Sequence, residues 1–213
     1  MSLNIDDYFK KLLAELEQVS HVNPNDLPNI DLYMDQVTTF MDSKLDSTKR
    51  HADDKILTKT MINNYAKNDV LPPPVKKKYS KEHILMLIFI YYFKSMISIG
   101  DTQTLMKPIC DKYFNNTDGI NLEDIYRVIY KNCKEDIIQV TEEIEKQFKH
   151  SKDTFTDAPE EDQDYLQLYS FVCSMAFDVY IKRLIIEKII DGYFQDSEKS
   201  GKKKDIKKES KKK

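Results

Sequence analysis

Apolar side chains recur every three or four residues along most of this chain, a spacing that places them on one face of an α-helix. The first stripe consists of Tyr8, Leu12, Leu16 and Val19. A second series follows Pro28 and predicts an amphipathic helix from Ile30 to about Leu45. Its apolar members are Ile30, Tyr33, Met34, Val37, Phe40 and Met41. Both segments are therefore expected to be helices with one buried side.

A third, shorter helix is predicted between Thr58 and Lys67. Threonine is a favoured N-cap residue because its hydroxyl oxygen can accept a hydrogen bond from a free amide in the first helical turn. The expected buried positions of this helix are Met61, Ile62 and Tyr65. The three prolines at 72–74 lack the amide donor and fix an extended backbone, so they cannot continue a helix. A turn or wing is expected there.

The most apolar run of the sequence extends from Ile84 to Phe93, behind a capping serine at Ser80. Such a run is apolar on nearly all sides, which is typical of a helix at the centre of a fold. A membrane span needs about 20 apolar residues, and this run is far shorter. We therefore expect a core helix, and no association with a membrane.

Further helices are predicted from Asp101 to about Phe114, from Asn121 through Ile144, and from about Glu161 to Phe194. Asn121 and Asp124 have the spacing of a capping box. The chain has 4 glycines, which is few for a fold that relies on hairpin turns. The predicted fold class is all-α.

Charge is distributed unevenly along the chain, although the net charge is only −3. The segment 55–81 holds seven lysines and one acid, Asp69, whereas residues 82–198 are strongly acidic. Residues 199–213 hold nine lysines and two acids, and this apolar-poor tail is expected to be disordered. The positive charge of the chain is therefore concentrated in two short segments.

Residues with catalytic potential are scattered. The four histidines, His21, His51, His83 and His150, belong to different predicted elements. Cys110, Cys133 and Cys173 are far apart and odd in number, which suits neither a disulfide framework nor a CxxC metal site. No secretory signal pattern is evident. We expect a cytoplasmic protein that is not an enzyme and has no metal or cofactor.

The order of the parts between residues 30 and 106 is that of a winged helix-turn-helix, with Thr58–Lys67 as the helix in the major groove of double-stranded DNA. Asn63 and Asn64 can offer their amides to adenine edges, and Lys67 lies on the same helix. The helix N-terminus and the wing supply hydroxyl, amide and ammonium groups for phosphates. The candidate DNA-binding residues are Thr58, Lys59, Thr60, Asn63, Asn64, Lys67, Lys76, Lys77, Lys78 and Tyr79.

A continuous stretch from Met61 to Pro74 carries a family resemblance. Its sequence is Met-Ile-Asn-Asn-Tyr-Ala-Lys-Asn-Asp-Val-Leu-Pro-Pro-Pro, and it is followed by Tyr79-Ser80 and a helix from Lys81. This stretch resembles the MerR-type reader, and the chain more closely resembles an uncharacterised bacterial family, domain of unknown function 1836. The resemblance implies a winged reader joined to a helical remainder, and it specifies no effector.

The predicted organisation is therefore an N-terminal helix and linker in residues 1–29, a MerR-like DNA-binding domain in 30–106, a helical C-terminal domain in 107–196 and a disordered tail in 197–213. The expected function is sequence-specific DNA binding as a transcriptional regulator. Because one short helix reads few base pairs, a homodimer is expected. The helices at 121–148 and 161–194 are the candidates for its interface.

Three features depart from the MerR pattern. Asn63 and Asn64 replace the usual arginine and tyrosine, the link 46–57 is long, and the wing lacks its customary glycine. These departures leave open a helical protein-interaction module that does not bind DNA. A small-molecule sensor is a further alternative, with a ligand among the aromatic and apolar side chains of the last helix, namely Tyr169, Phe171, Met175, Phe177 and Tyr180.

Overall fold

A computed structural model of the chain describes residues 5–16, 19 and 21–194. Helices account for 69% of the structure and strands for 3%. The expectation of an all-α protein is therefore confirmed, with the addition of one very small sheet. The basic tail predicted from residue 197 onward lies outside the described residues.

The described part of the chain forms eight α-helices and two short strands. In chain order they are α1 (Ile5–Leu16), β1 (Leu32–Tyr33), α2 (Met34–Lys44), α3 (Lys59–Lys67), β2 (Lys78–Tyr79), α4 (Lys81–Phe93), α5 (Ile99–Tyr113), α6 (Leu122–Ile129), α7 (Cys133–Lys152) and α8 (Glu160–Ile189). A π-helical turn, Ile190–Phe194, follows α8.

The chain divides into two compact units. The first unit combines the N-terminal residues up to His21 with Val128–Lys182, and the second combines Val22–Arg127 with the residues from Arg183 onward. This division differs from the predicted boundaries at residues 30 and 107, because α5 and α6 pack with the elements that precede them. The second unit contains the predicted reader.

Helix α4 is the centre of the second unit. Every residue from His83 to Phe89 is buried, and Ile90 is buried as well. The prediction of a core helix in this region is confirmed. Its first turn is capped at Ser80, whose backbone amide donates a 3.0 Å hydrogen bond to Nδ1 of His83. Burial on all sides explains why no polar stripe interrupts the run.

Helix α2 begins later than its apolar pattern predicts. Ile30 and Tyr33 are exposed, and Tyr33 belongs to β1 instead of the helix. Strand β1 pairs antiparallel with β2, with Leu32 opposite Tyr79 and Tyr33 opposite Lys78. The helical prediction was wrong for residues 30–33, since pairing with a strand that lies far away in sequence is invisible to local periodicity.

Helices α5 and α6 are joined to α4 by polar contacts as well as by packing. The ammonium of Lys81 lies 2.6 Å from a carboxylate oxygen of Glu123, and Glu82 accepts a 2.7 Å hydrogen bond from the backbone amide of Asn115. The ring of Tyr126 packs edge-on against Phe89. These contacts explain why the segment 107–127 belongs to the second unit.

The long helix predicted from Asn121 is interrupted. Its start is as expected, because Asn121 and Asp124 exchange hydrogen bonds of 3.0 and 3.1 Å in a reciprocal cap. The helix stops at Ile129, and α7 begins at Cys133 after a short turn. The interruption falls where the chain leaves the second unit and enters the first.

The first unit is built around three aromatic rings. Phe9 stacks on Phe148 with ring centroids 3.8 Å apart, and Phe171 meets both rings edge-on. The flanking apolar side chains are Ile5, Leu13, Ile144, Leu168 and Met175. On α1 the buried face is thus Ile5–Phe9–Leu13, whereas the predicted stripe contained Tyr8 and Leu16, which are exposed. Packing against Phe148 and Phe171 therefore buries the face of α1 that lies next to the predicted one.

The five side chains proposed for a ligand site in the last helix lie partly in this core and partly on the exterior. Phe171 is buried and Met175 packs against the aromatic rings. Tyr169, Phe177 and Tyr180 are exposed.

Candidate nucleic-acid interface

Helix α3 forms where its sequence predicts it. The hydroxyl oxygen of Thr58 accepts a 3.2 Å hydrogen bond from the backbone amide of Met61, which confirms the predicted N-cap. Ile62 and Tyr65 are buried, and Met61 is partly buried. At the other end, the amides of Val70 and Leu71 both donate to the carbonyl of Tyr65 and turn the chain away from the helix axis.

The outer face of α3 carries an exposed polar stripe, defined by Thr60, Asn63, Asn64 and Lys67. The spacing of three, one and three residues places all four side chains on one side of the helix. No acidic residue occurs in α3. This polar stripe presents hydroxyl, amide and ammonium groups together, which is the set that hydrogen-bonds base edges and phosphates.

The four side chains of the polar stripe are not equally free to form new hydrogen bonds, because one of them already has a partner in the protein. The side-chain carbonyl of Asn64 accepts a 3.0 Å hydrogen bond from the amide nitrogen of Asn68. The Asn63 amide has no hydrogen-bond partner among the residues that the structure describes, and it is exposed. Asn63 is thus the freer of the two candidate base-reading residues.

At the N-terminus of α3, the positive charge of Lys59 is already paired within the protein. The ammonium of Lys59 forms an ion pair with the carboxylate of Asp35 at the start of α2. The sequence did not single out Asp35, because this contact joins two helices whose separation in space is unknown before folding. Lys59 is consequently a weaker phosphate ligand than its position at a helix start implies.

The link between α2 and α3 is long but anchored at its end. Asp42 of α2 accepts hydrogen bonds from the backbone amide of Ile56, at 3.3 Å, and from the Lys49 ammonium, at 3.1 Å. These bonds hold the pKa of the Asp42 carboxyl below its ordinary value. The ammonium of Lys94 donates a 2.7 Å hydrogen bond to the carbonyl of Ile56. Both backbone groups of Ile56 are thereby fixed, two residues before the cap of α3.

The segment predicted to be a wing forms a hairpin with a two-residue turn. Val75 and Lys78 exchange backbone hydrogen bonds of 2.9 and 3.1 Å across the turn residues Lys76 and Lys77. Both turn residues have positive φ, +50° and +65°. Type I′ hairpin turns require this conformation and favour Asn-Gly, since a left-handed conformation costs an L-residue roughly 1–2 kcal/mol. Two lysines therefore occupy backbone positions that suit them poorly.

The lysines of the wing differ in their surroundings. Lys76 and Lys77 are exposed, and neither forms an ion pair within the described part of the chain. The Lys78 ammonium lies over the ring of Tyr33, 5.2 Å from its centroid, where the ring face attracts the charge. Tyr79 is 3% exposed and packs in the core. Of the predicted contact residues, Tyr79 is thus not available to DNA, because its side chain is covered by protein.

A buried histidine holds the proline segment against the core. His83 accepts at Nδ1 from the amide of Ser80, and its Nε2 lies 3.4 Å from the carbonyl of Pro73, to which it can donate. Its ring also meets Phe114 edge-on. Burial lowers the pKa of His83 below the ordinary value of an imidazole. His83 thus links the segment before the wing to both α4 and the end of α5.

Within residues 5–16, 19 and 21–194, no three His, Cys, Asp or Glu side chains are grouped so that they could hold a metal ion. In the same residues, no helix combines the length and the apolar character required to cross a bilayer.

The second unit thus contains a helix with an exposed polar stripe and a lysine-tipped hairpin. The model of the family named Domain of unknown function (DUF1836) matches residues 22–129, half of the chain, and the protein belongs to this family. The match coincides closely with the Val22–Arg127 part of the second unit. Comparison with curated proteins gave no match, and neither did comparison with solved structures.

Proposed function

We propose that this protein binds double-stranded DNA in a sequence-specific manner as a MerR-like winged helix-turn-helix regulator of transcription. In this proposal α3 enters the major groove, and the wing tip lies along the phosphate backbone. The observation that carries the proposal is the polar stripe of α3, whose four exposed side chains share one face of a helix without acidic residues.

The chemistry of the polar stripe suits base recognition. An asparagine amide can bond to the N6 and N7 edge of adenine through two hydrogen bonds. Asn63 is the leading candidate for this contact, because its amide has no other partner among the described residues. Thr60 and Lys67 flank it at one turn on either side, where they can reach phosphates.

The wing adds an electrostatic contribution that does not depend on sequence. Each ammonium that neutralises a phosphate releases condensed counterions, which makes binding depend steeply on salt. Lys76 and Lys77 are exposed at the tip of the hairpin. Their positive φ angles are a strained arrangement of the kind found at functional sites, and the lysine charges would account for its retention.

The proposed DNA-binding form is a homodimer. Helix α3 has 9 residues, and a helix of this length contacts only a few base pairs. Two copies related by a two-fold axis would read two half-sites and supply the missing discrimination. Helix α3 itself offers no spare apolar surface to a second copy, since Ile62 and Tyr65 are buried within the unit.

The test is selection of bound duplexes from a random pool by the full chain, followed by titration at several salt concentrations. The variant Lys76→Gln/Lys77→Gln should bind all sequences more weakly, and its logarithmic salt slope should decrease by about 0.9 for each phosphate that is no longer neutralised. The matched control is Lys131→Gln/Lys134→Gln, which removes two exposed charges from the first unit. Absence of any enriched sequence, or equal slopes in both variants, would contradict the proposal.

A further inference from the structure

A cavity in the second unit lies between the long link that precedes α3 and the end of α4. Its walls come from two segments, one between Thr48 and Ile56 and the other between Tyr91 and Met96, and we call it the link cavity. Its volume is about 590 Å³, within the range of sites that hold a small organic molecule. Both segments belong to the Val22–Arg127 part of the second unit.

The charged side chains that line the link cavity are mainly basic. Four bases and one acid contribute to its walls, namely Lys49, Arg50, Lys55, Lys94 and Asp54. Two of the bases are already balanced, because Lys49 forms ion pairs with Asp42 and Asp46, and Lys55 lies 3.9 Å from Asp42. The other two, Arg50 and Lys94, form no ion pair with any residue that the structure describes.

The charge of Lys94 is half-buried as well as uncompensated. Its ammonium donates a 2.7 Å hydrogen bond to the carbonyl of Ile56 and lies 4.9 Å from the centroid of the Tyr91 ring. Burial lowers the pKa of Lys94 below the ordinary value of a lysine ammonium. A partly desolvated charge without a counter-ion is unfavourable, and an anion bound in the cavity would offset this cost. An ammonium has three donors, so Lys94 can bond to such an anion without releasing Ile56.

Aromatic rings form another part of the wall. Tyr91 and Tyr92 meet edge-on, with ring centroids 5.5 Å apart, and both line the cavity. The hydroxyl of Tyr91 is hydrogen-bonded to the hydroxyl of Thr48, which fixes this ring against the link. Tyrosine rings pack favourably against planar rings. The cavity thus combines donors for an anion with contact surface for an aromatic group.

We propose that the link cavity binds a small phosphate monoester that carries an aromatic or heterocyclic ring. Arg50 and Lys94 hold the phosphate, and Tyr91 and Tyr92 contact the ring. A phosphate group offers three acceptor oxygens, and a planar guanidinium can bond two of them at once. The tyrosines favour such a ligand over the backbone of a DNA duplex, which presents phosphates and sugars and no ring. This site goes beyond DNA binding and does not depend on it.

Binding at this site should also order the link. Ile56 is held by Asp42 of α2 and by Lys94, two residues before the cap of α3. A phosphate bound to both Arg50 and Lys94 would join the link to the end of α4 a second time. The backbone amides between Arg50 and Ile56 should therefore exchange with solvent more slowly when the ligand is bound.

Calorimetric titration of the full chain with phenyl phosphate tests the site. Phenyl phosphate contains both parts of the proposed ligand, whereas inorganic phosphate and phenol each contain one. At millimolar concentration phenyl phosphate should bind saturably, and each of the two partial ligands should bind at least about tenfold more weakly. Absence of saturable binding, or equal affinity for inorganic phosphate and phenyl phosphate, would overturn the proposal.

Two substitutions locate the binding to the link cavity. Arg50→Gln should weaken phenyl phosphate binding by about tenfold or more, since it removes a charge-assisted hydrogen bond. Ser95→Glu places a negative charge at an exposed position of the cavity wall and should abolish binding. Lys112→Gln is the matched control, because it removes one exposed charge from α5 outside the cavity. All three variants should keep the wild-type circular dichroism spectrum. Equal affinities of Arg50→Gln and Lys112→Gln would refute the site.

The ligand site and the proposed DNA binding fail in different ways. If the protein does not bind DNA, no duplex will be selected, while phenyl phosphate binding and the slower amide exchange will be as expected. If Arg50 contacts DNA instead of a small ligand, Arg50→Gln will weaken binding of the selected duplex, and phenyl phosphate will not bind the wild type. The second result would overturn the ligand site and leave the DNA-binding proposal intact.

Discussion

The hydroxyl of Tyr126 donates a 2.7 Å hydrogen bond to the backbone carbonyl of Val22, which lies 104 residues earlier in the chain. Tyr126 is completely buried, and its ring packs against Phe89 of the central helix. This bond joins the beginning and the end of the Val22–Arg127 part of the second unit, near the two ends of the region that the family model matches. It therefore holds the two ends of this region together.

Removal of the Tyr126 hydroxyl should destabilise the second unit. In Tyr126→Phe the Val22 carbonyl stays buried without its donor, which should lower the free energy of unfolding by about 1–3 kcal/mol. Urea denaturation followed by circular dichroism measures the change. Tyr8→Phe is the control, because Tyr8 is exposed and its hydroxyl should contribute little. Equal effects of the two substitutions would show that the Tyr126 bond does not stabilise the fold.

Base reading by the polar stripe should depend more on Asn63 than on Asn64. Asn63→Ala should cost about 1–3 kcal/mol on the selected duplex and relax the preference at one base pair. Asn64→Ala should mainly loosen the end of α3, because its carbonyl bonds Asn68. Competition binding against single-base variants of the duplex measures both effects. If Asn63→Ala retains the wild-type base preference, Asn63 does not read a base.

Backbone strain at Lys76 and Lys77 should affect the stability of the protein, whereas their charge should affect DNA binding, so one variant can distinguish the two effects. Lys76→Asn/Lys77→Gly places the favoured type I′ pair at the two positive-φ positions, and it should raise the free energy of unfolding by about 1–2 kcal/mol. The same variant should bind DNA more weakly, since it removes two ammonium groups. Thermal unfolding and DNA titration are measured on one preparation. A variant that is more stable and binds DNA equally well would exclude a phosphate-binding role for these lysines.

The stability of the protein should fall in mildly acidic solution. Because the folded-state pKa of His83 is lowered, the unfolded chain takes up its proton first as the pH decreases through about 6.5. The stabilisation of the fold by uncharged His83 is complete above about pH 6.5, and it is lost as the pH falls towards the lowered pKa of this residue. Burial lowers the pKa of His21 as well, with the same sign.

His83→Gln should reduce this pH dependence. A glutamine amide can accept from the Ser80 amide in a capping box and does not titrate. The difference in unfolding free energy between about pH 7 and about pH 5 should be smaller in the variant than in the wild type. His51→Gln, at an exposed position, is the control. An unchanged difference in His83→Gln would mean that His83 does not couple folding to pH.

Local sequence was sufficient for α3 and α4. The capping threonine, the buried positions Ile62 and Tyr65, and the apolar run from Ile84 all lie within one or two helical turns of their partners in the same helix. Helix formation depends on hydrogen bonds and side-chain contacts between near neighbours in sequence, so these features could be predicted. The exposed stripe of α3 follows from the same periodicity, which is why its candidate residues could be identified without the structure.

The remaining features were decided by contacts between residues far apart in sequence. The pairing of β1 with β2, the buried face of α1, the covering of Tyr79 and the ion pair between Lys59 and Asp35 each require knowledge of which elements meet in space. The hydrogen bond between Tyr126 and Val22 is of the same kind. Sequence periodicity states that a helix has an apolar side, whereas only the packed structure determines which neighbour covers it and which side chains stay exposed.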